Sequence, residues 1–122
     1  TDDEVDLAVR ARLAAYLSIP GVEDLIPKVN GWDVGRLEPF RETLARSMAA
    51  SAGDAHPRGR AVFVEAARRI PDEWIAQTAA VGSPEQCAAD FVRFFDAGAD
   101  EIILHGVTTD RLGPTTQAYA AT

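Results

Sequence analysis

One short run, Ile102-Ile103-Leu104, constrains this chain more than any other feature. It is continuous, apolar and rich in β-branched residues, which is the pattern of a strand covered on both faces. Such a strand needs neighbours on both edges to satisfy its backbone N–H and C=O groups. Everywhere else the apolar residues recur at spacings of three and four, the period of helices, and no second convincing strand is present. The expectation is a mostly α chain with one or two short strands, whose strand neighbours are missing or come from another chain.

The helical reading is local and residue by residue. Thr1 and Glu4 have the spacing of a capping box, and Val5, Ala8, Val9, Leu13, Tyr16 and Leu17 form one stripe, so a first helix should run to about Ser18. Pro20-Gly21 breaks it. Val22, Leu25, Ile26 and Val29 then suggest a short helical segment disturbed by Pro27, with a turn at Asn30-Gly31-Trp32-Asp33. Pro39 suits the first position of a third helix, with Phe40, Leu44 and Met48 four apart and Gly53 as its C-cap. Ser51 to Gly59 is small and polar, the reading of a mobile loop. Val62, Phe63, Ala66, Ala67 and Ile70 mark a helix ended by Pro71, and Asp72 and Glu73 load the start of the next, whose apolar face is Trp74, Ile75 and Thr78.

Ser83-Pro84-Glu85-Gln86 is the strongest local signal: Ser83 as N-cap, Pro84 at the first helical position, Gln86 completing a capping box. Cys87, Ala88, Phe91, Phe94 and Phe95 continue as a buried face, and Gly98 stops the helix where a left-handed residue is wanted. Leu112 to Ala120 reads as a last helix.

Composition narrows the function. Twelve Lys and Arg against nineteen Asp and Glu give a formal charge of −7, the wrong sign for general attraction to nucleic acid or an anionic membrane surface. The chain has no apolar run near the ~18 residues of a membrane span and no signal-peptide core, so a cytoplasmic location is expected. At 122 residues there is room for one hydrophobic unit. The single Cys87 cannot form an internal disulfide and reads as a small core residue.

Val81-Gly82-Ser83-Pro84-Glu85-Gln86, the amphipathic helix after it, and Asp96-Ala97-Gly98-Ala99-Asp100-Glu101-Ile102-Ile103-Leu104-His105-Gly106 together resemble the end of the luciferase-like monooxygenase family. Ile70-Pro71-Asp72-Glu73-Trp74 and the helical stretch before it resemble members that use a deazaflavin coenzyme. The resemblance implies a (β/α)₈ TIM barrel of which this chain is a C-terminal fragment: a helical insert over 1–70 and a closing helix-strand-helix over 71–122. It further implies a hydride transfer between FMN or a deazaflavin of the 8-hydroxy-5-deazaflavin type and a small organic substrate in the full-length protein. Most contacts to the flavin ring lie earlier in such proteins, so this chain alone is expected to bind no cofactor and to be inactive.

Three residues are candidates for peripheral cofactor contacts. His105 and Gly106 follow the apolar run, at the end that faces the active site in such a barrel, and Ser83 opens a helix whose free N–H groups and dipole suit an anion. His56, in a polar loop without a ligand partner, reads as a surface residue, and no metal site is expected. Trp32 and Trp74 read as core or interface before they read as stacking platforms. Asp100 and Glu101 would point to opposite faces of a strand and form no acid/base pair. There is no Gly-x-Gly-x-x-Gly, phosphate loop, paired-Cys motif or Gly-x-Ser-x-Gly. The alternative is a stand-alone helical module that self-associates without catalysis, and under either reading the chain is expected to be a homo-oligomer.

Overall fold

The computed structural model describes residues 2–51, 61–104 and 107–122. The expected N-terminal cap Thr1, the loop residues 52–60 with His56, the expected C-cap Gly53, and the pair His105 and Gly106 lie outside them. The chain falls into two compact units, Thr1–Gln77 and Thr78–Thr122.

The first unit opens on one helical run made of α1 (Asp2–Val5), a π-helical stretch (Asp6–Arg10) and α2 (Ala11–Tyr16). Gly21, in the left-handed region at φ 83°, redirects the chain into α3 (Val22–Asn30), which Gly31 ends at φ 66°. Pro27 does not break α3. Its ring is buried, and the backbone N–H of Trp32 donates to its carbonyl at 2.8 Å, so the helix end is tied back through the proline. A 3₁₀ turn (Val34–Leu37), capped by the Asp33 carboxylate accepting from Gly35 N–H at 2.9 Å, leads into α4 (Glu38–Ser51). Then come α5 (Ala61–Ala67) and α6 (Asp72–Thr78).

The core of this unit is continuous: Ala14, Leu17, Trp32, Leu37, Phe40, Ala66, Ala67, Ile70, Trp74 and Ile75 pack as one cluster, with Leu13, Ile26, Leu44 and Phe63 on its margin. Burial of a side chain such as Leu37 or Phe40 contributes about 1.5–3 kcal/mol. Met48 continues the sequence pattern of Phe40 and Leu44 but stays exposed.

The second unit pairs α7 (Pro84–Asp96) with α8 (Thr109–Ala120). Its aromatic contacts are Phe91 edge-on to Tyr119, with centroids 6.0 Å apart, and Phe95 tilted against the same ring at 6.1 Å. Of the expected buried face only Ala88 is fully buried. Cys87, Phe91 and Phe94 are half-buried and Phe95 is exposed.

The expected strand over Ile102-Ile103-Leu104 does not form. None of the described residues lies in a strand; Glu101–Leu104 has no regular structure, and Ile103 is 73% exposed. The short-stranded TIM-barrel fragment is therefore not the fold of this chain, which is helical. The physical reason is the one that made the run conspicuous: β-branched residues favour a pleated surface, but a ladder requires a partner, and none among the described residues pairs with it. Among the described residues no helix is long and apolar enough to cross a membrane.

Candidate functional site

The start of α7 is built as its sequence dictates. Gly82, at φ 151°, is backbone that a side chain would strain, and a Cβ there would come within 2.3 Å of Gln86 Oε1. That space belongs to the capping box. The Ser83 backbone N–H donates to Gln86 Oε1 at 2.7 Å, and Gln86 N–H donates to Ser83 Oγ at 3.3 Å. The Ser83 hydroxyl in turn donates to Glu85 Oε2 at 2.8 Å. This bond, followed by one from the backbone, holds the Glu85 carboxyl below its ordinary pKa.

The positive end of α7 therefore already faces a carboxylate of its own first turn. Ser83 is exposed and close to solvent, but its hydroxyl is engaged on both sides. An incoming cofactor phosphate would meet the Glu85 charge before it met free N–H groups. One turn on, the half-buried Cys87 thiol is pushed up in pKa by burial and by Asp90, the opposite of what an attacking thiolate needs.

Trp32 and Trp74 stack on each other rather than offering an open face. Their rings lie 4.3 Å apart at 8°, both are buried, and Trp32 Nε1 donates to Gln77 Oε1 at 2.6 Å. The Arg36 guanidinium covers Trp74 from outside at 5.8 Å and pairs with Glu73. Glu73 is held below its ordinary pKa by its backbone hydrogen bond and then by Arg36. Asp100 and Glu101 are both exposed and precede the apolar run, of which Ile102 is half-buried and Ile103 and Leu104 are exposed. Among the described residues no cluster of three or more His, Cys, Asp or Glu could hold a metal ion.

The most connected charged site was not singled out from sequence. Arg10 Nε meets Asp6 at 3.1 Å, its Nη1 donates to the Ile70 carbonyl at 3.1 Å, and its Nη2 reaches Asp72. Arg68 Nε closes on the other Asp6 oxygen at 2.6 Å and its Nη2 on Asp3 at 3.3 Å. The Asp6-x-x-x-Arg10 spacing was the available signal for the first pair. The links to residues 68–72 depend on tertiary structure. The site ties the first helix to the corner between α5 and α6.

No protein-family model, curated protein or solved structure matches the chain.

Proposed function

We propose that this chain is part of a luciferase-like flavin- or deazaflavin-dependent oxidoreductase. In that role it helps place a small organic substrate for hydride transfer and holds no complete cofactor pocket of its own. The cofactor supplies the chemistry; protein supplies position and electrostatics. The proposal concerns the reaction, not a barrel, since the described residues are helical. What supports it is the segment 81–104, where the family-like sequence coincides with a closed Ser83–Gln86 box, a helix ended by Gly98 at φ 100°, and an apolar run left uncovered. His105, Gly106 and Ser83 are the contacts proposed for the cofactor periphery, Ser83 toward an uncharged edge rather than a phosphate because Glu85 already faces the α7 start, in a cytoplasmic homo-oligomer.

The test is the natural gene product. An intact mass well above the 13.1 kDa of this chain, with saturable fluorescence change on adding FMN or 8-hydroxy-5-deazaflavin, is expected. The 122-residue chain alone should leave both dyes unchanged at micromolar concentration. A natural product of 13.1 kDa that binds neither dye would overturn the proposal.

A second reading, a self-associating helical module without catalysis, has its own observation. Leu25 and Val29, one turn apart on α3, are 55% and 70% exposed, a stripe that a second copy could cover. Mass that rises with concentration, with no dye binding by the natural product, favours it.

A further inference from the structure

Between α2 and α5 lies an open pocket of about 350 Å³, lined by Ala11, Arg12, Ala15, Tyr16 and Phe63. Its volume is at the lower end of the ~300–1,000 Å³ in which small molecules bind. The construction is simple. Ala11 and Ala15 are one helical turn apart and too small to fill the space beside α2. Arg12 and Tyr16, also one turn apart, line it from α2, and Phe63 lines it from α5.

Arg12 is the unusual member. Arg10, Arg36, Arg41, Arg68 and Arg93 each meet a carboxylate, whereas Arg46, on the Thr43 hydroxyl, and Arg69 are exposed to solvent. Arg12 is half-buried and has no hydrogen-bond or ion-pair partner among the described residues, in a chain with nineteen acids. With no carboxylate of the described residues on it, the Arg12 fork keeps its donors open to an added anion. Its planar fork matches a carboxylate in two parallel hydrogen bonds. The remaining walls are methyl groups and aromatic rings, which match a flat apolar body.

We propose that this pocket binds a small aromatic carboxylate, its acid group on Arg12 and its ring between Tyr16 and Phe63. The site is independent of the oxidoreductase proposal and of the start of α7.

The experiment is saturation-transfer and chemical-shift NMR on the whole chain with benzoate as probe and benzamide as its neutral isostere. Benzoate should saturate with a Kd on the order of 1 mM, shifting Tyr16 and Phe63, and benzamide should bind about tenfold more weakly. Arg12→Gln should weaken benzoate to the benzamide level, and Ala15→Leu, which fills the pocket, should abolish both. Circular dichroism of each variant establishes that the helices persist, and a variant that unfolds is replaced by Arg12→Lys, which keeps charge but loses the fork. No saturation by about 20 mM, equal binding of benzoate and benzamide, or benzoate affinity unchanged in a folded Arg12→Gln or Ala15→Leu protein would each overturn the proposal.

Discussion

At the scale of single residues, the first unit depends on a few side chains that satisfy several groups at once. Arg10 is one: a single guanidinium holds Asp6, the carbonyl that ends the α5 corner, and the acid that begins α6. Its removal strands a buried carbonyl and leaves the largely buried Asp6 with Arg68 alone. Arg10→Ala should lower the unfolding free energy by about 1–3 kcal/mol, read from urea titrations, because the Ile70 carbonyl loses this donor and Asp6 one of its two arginines. A loss under half a kcal/mol would mean the network is solvated. Gln77 is the other. Gln77→Leu deprives the buried Trp32 N–H of its acceptor and should cost about 1–3 kcal/mol while the Trp32–Trp74 stack and its near-ultraviolet dichroism persist. Arg10 was invisible as a hub in the sequence because two of its three partners, Ile70 and Asp72, lie some sixty positions away. The burial of both tryptophans was legible.

At the scale of elements, most helix boundaries were local and therefore legible. Ser83 and Gln86 cap each other, Gly98 adopts the left-handed backbone, and Pro71 falls between α5 and α6. Ser83→Ala should accordingly cost about 1 kcal/mol, visible in the thermal midpoint of α7. What sequence misread were elements decided by distant partners. Pro27 reads locally as a disturbance of a short helix, but its ring is buried and α3 runs through it to Asn30. Ile102-Ile103-Leu104 reads locally as a strand, but no neighbour among the described residues pairs with it. The two descriptions of that run predict different mutants. Ile103→Thr in a doubly covered strand would cost about 1–3 kcal/mol, whereas at this exposed position it should stay within about 0.5 kcal/mol. Of the candidate contacts, Ser83 sits where its cap motif put it; His105 and Gly106 lie outside the described residues.

At the scale of the whole molecule, stability should have two acid–base flanks, and their signs follow from the shifts. Glu73, Glu85 and Asp110 are held below their ordinary pKa, the first chiefly by its backbone bond, the second by the Ser83 hydroxyl and the third by that of Thr108. A carboxyl depressed by folding contributes stability that is present above its unfolded pKa and is lost as pH falls through the folded one. The urea midpoint should therefore be level near neutrality and decline below the usual carboxyl range of about 4. Cys87 works at the other end. Burial raises its pKa, so its contribution is complete below the ordinary thiol value of about 8.5 and is lost as pH rises through the higher folded value. Ser83→Ala separates these terms. Without its hydroxyl the Glu85 carboxyl moves back toward its ordinary value, which softens the acid decline and leaves the alkaline one untouched. Carboxyl chemical shifts followed from pH 2 to 7 test the assignment directly: if Glu85 titrates at the same pH with and without the Ser83 hydroxyl, the capping box does not set its charge.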